Sequence, residues 1–260
     1  MSSAILMMYT SEGFLVAADG RSRLDGKLLS DTTQKIFPIK QSGKWLAYAL
    51  GGEVGLTDRD NAHEVLLDLR EEMAQGVRSL EMSSYSDLAF YGKKLSGRLR
   101  DAVVRVQAGG RATPFRASEG KDEPAAVACL LMGGYFERKP SWITVQFSHQ
   151  NQRLLQPLIK EMELDKGYVP SVTYGSKEVG DLLFSTDDPR FARYRVPRKN
   201  LPDDVTLSEA AEVAKNYILA CSDPEAMKID EKHCAGIGGH IHIAAVTPAL
   251  GFEWIIPPVP

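Results

Sequence analysis

The chain opens with two short apolar runs, Ala4 to Tyr9 and Gly13 to Ala18, separated by the polar Thr10-Ser11-Glu12. Runs of this length around a turn predict a β-hairpin. Gln34 to Ile39 and Trp45 to Leu50 predict a second strand pair around Lys40-Gln41-Ser42-Gly43-Lys44. From Asp58 the period changes. Ala62, Val65, Leu66, Leu69 and Met73 recur at three- and four-residue steps, which predicts a helix with one apolar face. Leu88, Tyr91, Leu95, Leu99, Ala102 and Val106 predict a longer helix within Ser86 to Val106.

Gln107 to Pro124 is polar and rich in Gly and Arg, and reads as a surface loop. Strand character returns at Ala126 to Met132 and Trp142 to Phe147. Asp187 to Asp204 carries Pro189, Pro197 and Pro202, which breaks any helix and predicts a surface insertion. Thr206 and Glu209 form a capping box that opens a helix through Ala210, Ala214 and Ile218. Strands at His240 to Val246 and Gly251 to Ile256 follow. Segregated runs of strands and helices predict an α+β layered architecture. No repeat or linker divides the chain, so one domain over 1–260 is expected, with insertions near 107–124 and 187–204.

Composition narrows the functional classes. The 260 residues are 43% hydrophobic and 25% charged, which excludes wholesale disorder. Lys and Arg number 31 against 34 Asp and Glu, without the basic excess of a nucleic-acid binder. No apolar run approaches the ~20 residues that span a bilayer. The first eight residues lack a basic segment, so no signal peptide is expected. Cys129, Cys221 and Cys234 have no paired spacing and suit reduced thiols in a cytoplasmic protein.

The candidate chemistry lies in the first fifty residues. Ser3, Asp19 and Lys35 stand 16 residues apart. Asp19 ends one apolar strand and Lys35 begins another, and a carboxylate and an ammonium emerging there each need a partner. A paired Lys35 beside a hydroxyl would lower that hydroxyl's proton affinity. Gly51-Gly52 closes the fourth strand and is expected to open the first helix, where an amide could hold an oxyanion. A serine at a chain terminus could use its own α-amine, with an ordinary pKa of roughly 8, as the base. Simpler readings stand beside these: a structural ion pair, a serine at a frayed end, a tight turn at Gly51, and Ser176 as a helix N-cap. His233, Cys234, His240 and His242 lack the spacing of a zinc site, so no metal and no cofactor is expected. The basic stretch Arg190 to Lys199 reads as a solvated loop.

Gly13-Phe-Leu-Val-Ala-Ala-Asp-Gly-Arg21, Lys35-Ile-Phe-Pro-Ile39, Ala49-Leu-Gly-Gly52 and the two later hairpins resemble the β-type subunits of the proteasome core particle, within the N-terminal-nucleophile (Ntn) hydrolase superfamily. The resemblance implies a four-layer αββα sandwich and a self-compartmentalising peptidase acting on peptides or unfolded proteins. It also implies a homo-oligomeric ring and leaves room for a regulatory ATPase, with no nucleic-acid or membrane partner. It puts Ser3 at the nucleophile, or Ser2 if Met1 alone is lost. Asp19 and Lys35 fall on the family's ion pair, Arg21 follows it, Gly51 falls on the oxyanion glycine, and Ser176 falls near the nucleophile's amine. Where the family carries Asp-x-x-Ser, this chain has Cys234-Ala-Gly-Ile237. The alternatives within the resemblance are an inactive ring or scaffold protein and a small-molecule Ntn amidohydrolase.

Overall fold

The computed structural model describes residues 3–24, 27–41, 44–53, 55–61, 63–81, 84–115, 124–164, 170–185, 188–196 and 205–259. Ser2 and residues 116–123, 187 and 197–204 of the two expected insertions lie outside the described residues. The first hairpin forms from β1 (Ile5–Thr10) and β2 (Gly13–Asp19). After the ribbon β3 (Ser22–Leu24) and β4 (Lys27–Ser30) come β5 (Ile36–Gln41) and β6 (Lys44–Gly52). A second ribbon, β7 (Gly55–Thr57) and β8 (Val65–Asp68), leads to α1 (Leu69–Ser79) and α2 (Leu88–Ala108). The middle hairpin is β9 (Ala125–Phe136) and β10 (Lys139–Gln150), followed by β11 (Arg153–Leu154), β12 (Leu158–Glu161) and β13 (Ser171–Tyr174). Then come α3 (Lys177–Ser185), a 3-10 turn at Pro189–Tyr194, α4 (Leu207–Cys221), α5 (Pro224–Ile229) and α6 (Glu231–Cys234). The closing strands are β14 (Ile241–Thr247) and β15 (Gly251–Ile256).

The ladders are antiparallel, in a five-stranded sheet ordered β13-β1-β2-β14-β15 and a six-stranded sheet ordered β11-β10-β9-β6-β5 with β12 on β10. Every residue of β2 is buried. Side chains alternate faces along a strand, so one strand can feed two cores. Phe14, Val16 and Ala18 meet Ile36, Ala47, Ala49 and Leu131 between the sheets. Leu15 and Ala17 face the α4 residues Ala210, Ala214 and Ile218. The sheets approach closely at Gly133, where a Cβ would stand 2.9 Å from Met7 Sδ and 3.0 Å from Phe14.

This architecture corrects the expected class. The chain is mostly antiparallel sheet with some helices, rather than a four-layer αββα sandwich. Only α2 and α4 pack chiefly on sheet, whereas α1 lies on α2 and β8, and α3 on α4 and the 3-10 turn. Strands account for more elements than the sequence pattern suggested. The helix expected from Asp58 starts only at Leu69, because Val65 to Asp68 pair with β7 and Asp68 caps α1 by accepting the Arg70 amide. Gly51-Gly52 therefore ends β6 without opening a helix. The expected capping box is present: Thr206 accepts from the Glu209 amide, and the Glu209 carboxylate accepts from the Thr206 amide.

Candidate active site

Three strand ends converge. Ser3 precedes β1, Asp19 closes β2 and Lys35 precedes β5. Lys35 Nζ donates to Asp19 Oδ1 at 2.7 Å and to Ser3 Oγ at 3.2 Å. The carboxylate is fully shielded, and Ser3 and Lys35 are only 5% and 6% exposed, so water screens none of these contacts well. Asp19 is nearly surrounded by donors. Oδ1 also accepts the Ala4 amide at 2.9 Å, and Oδ2 accepts the amides of Gly238 at 3.2 Å and Arg21 at 3.3 Å. Burial pushes the Asp19 carboxyl up, opposed by the Lys35 charge and the main-chain donors. Three main-chain amides and a contact ammonium favour its ionised form. Burial pulls the Lys35 ammonium down, opposed by Asp19. The result is a cation held against a hydroxyl oxygen by an anion that cannot turn away.

Arg21 stays beside the pair through its main chain, donating its amide to the Gly238 carbonyl, while its guanidinium binds Asp31 at 2.6 Å. Gly51 lies in β6 opposite Cys129. A Cβ there would meet the Tyr174 ring at 2.8 Å and Ile5 at 2.9 Å. Glu53 donates to Val127, so antiparallel alternation faces the Gly51 amide toward Cys129 in β9. Burial raises the Cys129 thiol to about 12, which keeps it protonated.

Ser176 is buried just before α3, but its hydroxyl points elsewhere. It donates to Asp230 at 2.6 Å and accepts the Val179 amide at 3.2 Å, an N-cap. The preceding Gly175, at φ +144°, touches the start of the chain: a Cβ there would stand 3.2 Å from the Ser3 carbonyl. Among the described residues, Glu178, Asp230 and His233 bring potential metal-ligand atoms within 4.8 Å of one another. They share no residue with the Ser3 group.

Sequence reasoning missed two contributors, one just before β14 and one within it. The Gly238 amide binds Asp19, and the buried His242 accepts the Lys35 main-chain amide at Nε2, 3.0 Å away. The signal for His242 was its polarity within an otherwise apolar strand.

The solved structures that share the fold across nearly the whole chain include two Anbu proteins. Anbu (Gly-1) mutant from Hyphomicrobium sp. strain MC1 matches at 13% identity and a TM-score of 0.55, covering 98% of this chain and 87% of that one. Anbu (ancestral beta-subunit) from Yersinia bercovieri matches at 14% identity and a TM-score of 0.50, covering 97% and 86%. No family model and no curated protein matches the chain. These comparisons correct the expected resemblance: the likeness is to Anbu, not to the β-type subunits of the proteasome core particle. At this identity the likeness is one of fold alone. Among the described residues, no helix is long and apolar enough to cross a membrane.

Proposed function

We propose that the chain hydrolyses peptide bonds with the Ser3 hydroxyl as nucleophile. The observation that carries this reading is the Lys35 ammonium, held at 2.7 Å from Asp19 and 3.2 Å from Ser3 Oγ in a water-poor setting. Lys35 donates to the oxygen and leaves the hydroxyl proton free to depart. Loss of the first two residues would turn the Ser3 amide into an α-amine, with an ordinary pKa of roughly 8, on the same residue as the hydroxyl.

The steps then balance. Ser3 Oγ bonds to the substrate carbonyl carbon as its proton passes to the α-amine. The tetrahedral oxyanion collapses, the carbon–nitrogen bond breaks, and the α-amine returns the proton to the leaving nitrogen. Water, deprotonated by the same amine, cleaves the ester and restores the hydroxyl. The reading assigns the oxyanion to the Gly51 amide, which requires the end of β6 to release that amide from Cys129. Peptides or unfolded proteins are the substrates in this reading, and a homo-oligomeric ring in one domain over 1–260 is the assembly.

The test is intact-mass analysis with a β-lactone, which acylates an activated hydroxyl. Chains starting at residues 1, 2 and 3 are compared. A single adduct on Ser3 in the shortest form, absent in Ser3→Ala, is the expected result. No adduct and no peptide hydrolysis in any form would overturn it. A catalytically silent protein of the same fold is the second reading, favoured by the commitment of the Ser176 hydroxyl to Asp230.

A further inference from the structure

Lys35 has an unusual main-chain arrangement. Its carbonyl accepts the Leu50 amide at 3.2 Å, continuing the β5–β6 ladder, but its own amide leaves the sheet. That amide donates to His242 Nε2 at 3.0 Å, 207 residues away and in the other sheet. We propose that His242 is a positioning residue for Lys35, its neutral ring fixing where the ammonium stands relative to Ser3 and Asp19. This inference rests on the hydrolase reading above for its functional consequence, but its geometric content stands by itself.

Several features fit this role. His242 faces Ala18 across β14–β2, one register step from Ile241 opposite Asp19. The strand that aligns the anion thus also aligns the cation's backbone. His242 is fully buried, with Trp254 edge-on at 6.2 Å. An apolar side chain would fill that space without stranding a polar atom, yet among the described residues Nδ1 has no hydrogen-bond partner. Buried unsatisfied groups are rare enough to need an explanation, and an obligatory acceptor on the other nitrogen supplies one. Because the Lys35 amide is a donor, Nε2 must be bare and the proton must sit on Nδ1. Burial, with Lys35 and His240 nearby, lowers the ring to about 4, consistent with a neutral acceptor.

The first test needs no variant. In the full chain labelled with nitrogen-15, a scalar coupling should connect the Lys35 amide to His242 Nε2, and the ring should be the Nδ1–H tautomer. A ring protonated on Nε2 would overturn the proposal. The second test uses two replacements. His242→Gln keeps an acceptor at the same reach, whereas His242→Leu fills the space without one. The Lys35 side-chain resonance, assigned through Lys35→Met, should move in His242→Leu and stay in His242→Gln. β-Lactone acylation of Ser3 should slow on the order of 100-fold in His242→Leu and recover in His242→Gln. A folded His242→Leu with an unmoved Lys35 resonance would sink the idea. If the parent chain is not acylated, the hydrolase reading fails, while the coupling and the resonance still decide the positioning role.

Discussion

Two buried serines, Ser3 and Ser176, show how the same side chain can be set to opposite uses. Ser3 Oγ accepts from an ammonium, so its electron density is drawn off and its proton is left available. Ser176 Oγ gives its proton to the Asp230 carboxylate and accepts a helix amide, so both of its capacities are engaged. Both precede a regular element and both are shielded from water. The difference lies in the charge of the neighbour: in the proposed reading the cation prepares the Ser3 hydroxyl for attack, whereas the anion holds the Ser176 hydroxyl as a structural pin. Burial by itself does not distinguish the two.

The largest expected effect comes from removing the cation. Lys35→Ala strands a buried carboxylate, and breaking such a pair costs roughly 3–5 kcal/mol. Chemical denaturation should show a loss of that size, together with loss of Ser3 acylation. A variant of unchanged stability would mean that the pair is wetter than its burial indicates.

Next is the pH response of His242, whose folded pKa is lowered to about 4. Against an unfolded value of roughly 6.5, the unfolded chain binds more protons between these limits. Stability from this ring is therefore complete above pH ~6.5 and is lost as pH falls toward ~4, by about 3 kcal/mol. His242→Gln should remove that share of the acid sensitivity, read as the difference between two denaturation series. Parallel pH curves for the two chains would show that the ring is not desolvated.

The comparison of the serines is sharpened by two smaller substitutions. Ser176→Ala removes an N-cap and a carboxylate hydrogen bond, so it should destabilise by roughly 1–2 kcal/mol and leave acylation intact. Ser3→Ala should abolish acylation with a stability change below about 1 kcal/mol. The crossed pattern is the prediction. Acylation lost in Ser176→Ala at full occupancy of the folded state would move Ser176 into the site. Gly51→Ala is a poor probe of the oxyanion, because its new methyl would collide with Tyr174 and Ile5 whether or not the amide acts.

The contact between Ser3, Asp19 and Lys35 was legible because charged residues at the ends of apolar strands must find each other, and two adjacent hairpins bring those ends together. The first hairpin and the capped α4 were legible for the same local reason: period and turn chemistry agree. The ribbon β7–β8 was not, since Ala62, Val65, Leu66 and Leu69 fit a helical spacing while the tertiary partner turns Val65 to Asp68 into strand. The fold class went the same way, because spacing along the chain cannot say whether α1 and α3 cover sheet or other helices. His242 was illegible as a partner because it acts on a main-chain amide, which has no signature in residue type. Ser176 was recognisable as a possible cap, but its tie to Asp230, 54 residues on, depends on how α6 returns to α3.

The bond from the Ala4 amide to Asp19 has a consequence for chain trimming. Ends of polypeptides ordinarily fray unless something ties them down. Here the tie falls one residue after Ser3, so shortening the chain to that serine would leave its new end moored rather than loose. The carboxylate would then serve two masters, gripping the ammonium and the leash with the same oxygen.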